Sequence, residues 1–135
     1  MKKILLMTIL LCSLLLASCG GSGSATTTLN MTLTDFMFTP NEFTVPAGQE
    51  ITLNVNNSGA VVHNFVIMNL GQTAGSEYTN DDSDNVYWKI DLAAGGSTTA
   101  TFTAPSEPGE YEVVCSTPGH LQAGMIAKMI VVAAE

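Results

Sequence analysis

The chain contains no arginine and only four lysines among 135 residues, against twelve aspartates and glutamates. A surface so poor in positive charge cannot neutralise a phosphate backbone, which excludes nucleic acid as a partner. Only two histidines are present, His63 and His120, so no site that needs three or more imidazoles can form. Three cysteines are too few for a zinc cluster or a disulfide framework. Long apolar runs are missing as well. The longest, Ile4 to Leu16, is thirteen residues, and as a helix it would reach only about 20 Å of a ~30 Å hydrocarbon core. What is present is 46% hydrophobic residues, 12% charged residues and a formal net charge of -8. The length allows one ordinary domain, large enough to bury a core without covalent staples.

The apolar run follows Met1-Lys2-Lys3, a positive n-region, and reads as a secretory signal. It ends Leu16-Ala17-Ser18-Cys19, which resembles the lipobox of bacterial lipoproteins, where the cysteine is lipidated and becomes the new N-terminus. A plain signal peptide that leaves Cys19 as a spare thiol is the bland alternative. The expected organisation is a signal peptide over 1–18, lipidated Cys19 with a flexible Gly/Ser tether over 19–27, and one domain over 28–135. The protein would then be exported and membrane-anchored, facing the periplasm or the cell exterior. Loss of the signal leaves 117 residues, in which Lys89 and Lys128 oppose twelve acids for a formal charge of -10. Cys12 departs with the signal and Cys19 takes the lipid, so Cys115 is left without a partner. An odd cysteine in an exported protein calls for a reactive thiol, an intermolecular bridge or a metal ligand.

From Thr28 onward the patterning is period two. Leu29, Met31 and Leu33 alternate with polar neighbours, as do Ile51, Leu53 and Val55. Such segments are half-buried strands. Val61 to Met68 is apolar on both faces, 97–103 and 109–115 alternate again, and 125–132 closes the chain. Turn signals fall at Thr39-Pro40-Asn41, Pro46-Ala47-Gly48, Asn57-Ser58-Gly59, Ala94-Gly95-Gly96 and Pro105 to Gly109. Their spacing predicts an all-β sandwich or barrel. The polar stretch from Asn69 to Val86, which holds Glu77, Asp81, Asp82 and Asp84, predicts one long loop with a helical turn.

The chemistry is concentrated near the C-terminus, where Cys115, His120 and Met125 follow one another at Cys-x4-His-x4-Met spacing. Together with His63 they make a thiolate, two imidazoles and a thioether, the donor set of a trigonal copper site with a weak axial methionine. Taken singly, His63 is an ordinary core histidine, Met125 is core filler and Cys115 an inert thiol. Zinc could use the thiolate and imidazoles but would want a harder fourth ligand. A Cys-His nucleophile would need an orienting acid or amide and an oxyanion pocket, and neither is evident near the Pro-Gly turn. The chain is therefore not expected to be an enzyme.

These residues lie in a pattern that resembles the cupredoxin family: Phe43-Thr44-Val45-Pro46-Ala47-Gly48, His63-Asn64-Phe65, Phe102-Thr103-Ala104-Pro105, and Pro108-Gly109-Glu110-Tyr111 leading to Cys115. The ligand loop is similar to that of rusticyanin and sulfocyanin, and the lipobox with its tether is similar to auracyanin. The resemblance implies an antiparallel Greek-key sandwich in which His63, Cys115, His120 and Met125 bind one copper ion, cycling between Cu(II) and Cu(I). It implies that Asn64 ties the two ligand-bearing loops together near the Cys115 sulfur. It also implies an apolar docking patch around His120, formed by Met37, Phe38, Pro118, Gly119, Leu121, Ala123 and Gly124, with the ring edge of His120 at the surface. Ala127 replaces a glycine common in the family. Val62 stands where azurin has a glycine that supplies a carbonyl, which argues against a fifth ligand of that kind.

Two functions fit this pattern. One is a lipid-anchored, monomeric carrier of single electrons between respiratory or photosynthetic redox partners, such as cytochromes or membrane complexes. The other is an extracytoplasmic copper chaperone or copper-resistance protein. The acids of the long loop would either steer a basic partner or simply keep the loop solvated.

Overall fold

The alternation becomes nine β-strands and one short 3-10 turn in the computed structural model, which describes residues 23–135. The strands are β1 (Thr28–Thr34), β2 (Met37–Thr39), β3 (Glu42–Pro46), β4 (Glu50–Asn57), β5 (His63–Met68), β6 (Val86–Leu92), β7 (Ser97–Thr103), β8 (Gly109–Val114) and β9 (Ile126–Val132). They form a four-stranded sheet, β2-β1-β4-β7, and a five-stranded sheet, β3-β9-β8-β5-β6. Apolar residues from both sheets share one core, with Leu29, Met31, Leu33, Ile51 and Leu53 from the first and Val45, Phe65, Ile67, Val113 and Met129 from the second. The sandwich is as expected, but it is not antiparallel throughout. β1 runs parallel to β4 and β3 parallel to β9. The physical reason is the excursion between β1 and β4, in which the chain crosses to the other sheet at β3, so its return need not reverse direction.

Three strands are additions to the sequence expectation. β2 and β3 flank the Thr39-Pro40-Asn41 turn and are only three and five residues long. β6 occupies the edge of its sheet, and Val86, Trp88, Ile90 and Leu92 do alternate with Tyr87, Lys89 and Asp91. The strand at β5 begins at His63, and Val61 and Val62 are exposed in the loop before it.

β5 is buried on both faces for a reason the loop supplies. Phe65 and Ile67 enter the main core, whereas Val66 and Met68 pack on Ala74, Val114 and Leu121, with Tyr78 and Val86 at the margin. The long loop therefore folds back over the outer face of the second sheet. Its 3-10 turn, Asn80–Asn85, is capped by Asp82, whose Oδ2 accepts from the Thr79 amide at 2.7 Å and the Thr79 hydroxyl at 2.9 Å. At the other end of the domain, residues 26 and 27 are already tied down. The Thr26 amide donates to the Thr44 carbonyl and the Thr52 amide to the Thr27 carbonyl. Residues 26 and 27, expected to lie in the tether, are thus hydrogen-bonded to the domain, and the expected signal segment and Cys19 lie outside the described residues.

Candidate metal centre

The site is assembled at one end of the sandwich from a strand start and a strand-to-strand loop. His63 opens β5 and is fully buried. The loop before it is organised by Asn57, also fully buried, whose Nδ2 lies 2.8 to 3.0 Å from the carbonyls of Val61, Leu92 and Ala93 and whose Oδ1 accepts from the Gly59 amide. Cys115 follows the end of β8, and its amide donates to the Met125 carbonyl at 3.3 Å, which closes the loop between β8 and β9. Within that loop the His120 amide donates to Thr117, the Gly124 amide to Leu121 and the Met125 amide to His120. Two of its residues, Gly119 and Gly124, have φ of 85° and 94°, a region that a side chain makes costly. The loop is thus coiled tightly enough to aim three donor types inward from eleven consecutive residues, 115 to 125.

The donor atoms converge. His63 Nδ1 lies 3.1 Å from His120 Nδ1, and the Cys115 sulfur lies 3.8 Å and 3.4 Å from those two nitrogens. All three side chains are buried, with donor atoms within 4.8 Å of one another. Met125 is fully buried in the same core cluster as Cys115. Burial, and then the neighbouring His63, hold His120 below the usual histidine range, with Asp35 opposing them. The neutral imidazole so favoured is the form that ligates metal. A soft sulfur pair with two imidazoles suits copper, and no carboxylate belongs to the donor cluster.

Around the donors, Asn64 joins β5 to the loop between β8 and β9. Its backbone amide points at the Cys115 sulfur at 3.4 Å. Its Oδ1 accepts from the Ser116 hydroxyl at 2.9 Å and stands 3.0 Å from the Thr117 hydroxyl, while its Nδ2 donates to Asp91 at 2.6 Å. The Thr117 hydroxyl also lies 3.0 Å from the Val62 carbonyl, which is accordingly engaged with the loop. Ala127 is buried in β9 opposite Val113, where a small residue suffices.

The anticipated docking residues divide. Met37, Pro118, Gly119, Ala123 and Gly124 are exposed. Phe38 and Leu121 are not: Phe38 packs edge-on against Phe65 in the main core, and Leu121 belongs to the cluster under the long loop. The alternation of β2 turns Phe38 inward and leaves Met37 outside. His120 is only 6% exposed, because Phe36 lies edge-on against it with ring centroids 5.2 Å apart. Phe36, Val61 and Val62, each about half exposed, enlarge the apolar rim.

Two contributors escape a sequence reading altogether. Asp35 and Phe36 are adjacent in the turn between β1 and β2, yet Asp35 Oδ1 reaches His63 Nε2 at 3.1 Å while Phe36 covers His120. Phe36 has φ of 75°, the one positive φ of a non-glycine among the described residues. Nothing in a lone Asp-Phe pair announces that placement, which depends on how the turn meets the loop before β5.

Fold and donor set together define a β-sandwich protein built around a single copper. The family of copper binding proteins, plastocyanin/azurin family, matches residues 25–132, and the chain belongs to it, with one copper ion as its cofactor. Among its relatives is Auracyanin-A of Chloroflexus aurantiacus, 32% identical over 136 residues covering 80% of this chain and 83% of that protein. The Copper-resistant cuproprotein CopI of Rubrivivax gelatinosus is 29% identical over 83% of this chain and 70% of its own length. Among solved structures, the dithionite-reduced auracyanin of Roseiflexus castenholzii superposes with a TM-score of 0.69 at 32% identity, over 81% of this chain and 99% of that one.

Proposed function

We propose that the protein carries single electrons outside the cytoplasm, with His63, Cys115, His120 and Met125 as the ligands of its copper. The observation that carries this reading is the convergence of three buried donors from two separate segments. Copper, when bound, supplies the one-electron couple. The polypeptide supplies the frame: β5 is paired on both sides within its sheet, Asn64 links it to the loop, and both ends of the loop are clamped by the Cys115–Met125 pairing. A frame held in this way favours one geometry for both oxidation states, which suits electron transfer.

Electrons would pass through the end of the domain where His120 lies beneath Phe36. The exposed apolar rim of Phe36, Met37, Val61, Val62, Pro118, Gly119, Ala123 and Gly124 supports a small, transient contact with a redox protein such as a cytochrome or a membrane complex. Encounters of that kind bury less than about 1,200 Å². Glu77, Asp81 and Asp84 could steer a basic partner, whereas Asp82 is engaged in capping. Lipidation at Cys19, in the segment preceding the described residues, would hold a monomer at the membrane, facing the periplasm or the exterior.

The copper-resistance relative favours a second reading, in which the protein holds or hands over the metal. A chelator challenge separates the two. The full chain is loaded with copper, cycled between oxidised and reduced states, and exposed to a Cu(I) chelator at each stage. A carrier of electrons retains its copper through repeated cycles; release on reduction identifies a carrier of metal.

A further inference from the structure

We propose that Asp35 is a positioning residue of the copper site: its carboxylate fixes the tautomer of His63 and lowers the reduction potential. The proposal rests on His63 being a ligand. An imidazole that offers Nδ1 to a metal must carry its proton on Nε2, and that proton needs an acceptor when the ring is buried. His63 is fully buried, its Nδ1 faces His120 and the Cys115 sulfur, and its Nε2 meets Asp35 Oδ1 at 3.1 Å. The acceptor is itself held in place. The Ala60 amide donates to Asp35, at 3.2 Å from Oδ1 and 3.3 Å from Oδ2, so the carboxylate bridges the β1–β2 turn and the loop before β5.

Gly59 completes the arrangement. A Cβ at that position would come 2.6 Å from Asp35 Oδ1 and closer still to His63 Nε2, so the contact exists only because residue 59 has no side chain. Its neighbour Asn57 fixes the same loop from the opposite side through the Gly59 amide. The carboxylate also brings a negative charge one imidazole away from the metal. Such a charge favours Cu(II) over Cu(I), though the carboxylate is 43% exposed and partly screened. Removing it should change the ratio of the two affinities by about tenfold, equivalent to ~59 mV for one electron.

Two variants separate the hydrogen bond from the charge. Asp35→Asn keeps an oxygen acceptor and loses the charge; Asp35→Ala loses both. The full chain without copper is first examined by long-range 1H–15N correlation, which reads the His63 tautomer independently of any ligand assignment. Wild type and Asp35→Asn should show the Nε2–H form, and Asp35→Ala a mixture. After copper loading, Asp35→Asn should show a potential raised by the tenfold ratio above, and Asp35→Ala a Cu(II) affinity 10- to 100-fold lower. Retention of the Nε2–H tautomer in Asp35→Ala overturns the positioning role, and an unchanged potential in Asp35→Asn overturns the electrostatic one. A correct tautomer in a wild-type chain that binds no copper would instead refute the ligand assignment.

Discussion

His63 stands at the first position of β5, inside the sandwich, with its far nitrogen on Asp35; His120 stands in the loop between β8 and β9, with its ring under the edge of Phe36. The first is fixed by a strand with neighbours on both sides and by core residues beneath it. The second is fixed by turns that hydrogen-bond mostly to themselves, and by Asn64, which reaches across from β5 to Ser116 and Thr117. The contrast teaches a division of labour. The strand side anchors the site in the core, and the loop side carries the other donors beneath exposed residues such as Pro118 and Gly119.

The largest effect should come from the strand side. Phe65 lies fully buried two residues beyond His63, against Phe38, Phe43 and Trp88. Phe65→Ala should cost about 3–5 kcal/mol in a urea titration; a loss as small as that of an exposed loop residue would break the contrast. Next in size is the link between the two sides. Asn64→Ala removes the acceptor for Ser116 and Thr117 and the donor to Asp91, and should cost about 1–3 kcal/mol. The same denaturant midpoint measures it, and an unaltered midpoint would mean that the loop does not depend on the strand.

A smaller effect follows from His120 in the metal-free protein. Its pKa is lowered by burial and by His63, so between the folded value and the usual value near 6.5 the unfolded chain binds more protons. Stability should therefore fall as pH drops below about 6.5 and level off once the folded-state histidine is also protonated. A thermal-melting series across pH 5 to 8 checks the sign, and a melting temperature that rises on acidification would contradict it. His120→Gln, which removes the group, is the control.

Least costly to the fold should be changes at the exposed rim. Phe36→Ala is expected to alter stability by no more than about 0.5 kcal/mol, while lowering severalfold the second-order rate of electron transfer to a basic cytochrome, read by stopped flow. Neutralising Asp81, Asp82 and Asp84 together should slow the same reaction at low salt and leave it unaltered at high salt. Rate constants indifferent to ionic strength in both proteins would reduce these acids to solvation and, for Asp82, capping.

The strands with clear alternation were legible because one face of each meets the core, as with Leu29-Met31-Leu33 in β1 and Ile51-Leu53-Val55 in β4. The donor set was legible because Cys115, His120 and Met125 share one loop and only two histidines exist to choose from. Short β2 and β3 escaped because a three- or five-residue segment beside a proline shows no period. The parallel pairings escaped because register between distant strands leaves no local mark. Phe38 and Leu121 were assigned to the surface by the resemblance, whereas the alternation of β2 and the cover of the long loop bury them. Asp35 and Phe36 belong to the same class of omission, since their role exists only after the turn has been folded against both histidines.

An optical titration can show whether a single copper is held by the Cys115 thiolate. The full chain is titrated with Cu(II), followed by reduction and reoxidation, beside Cys115→Ser. An intense blue or green thiolate-to-copper band should saturate at one equivalent, vanish and return with the redox cycle, and be absent from Cys115→Ser. A colourless complex, or a band that survives the loss of the Cys115 sulfur, would contradict it.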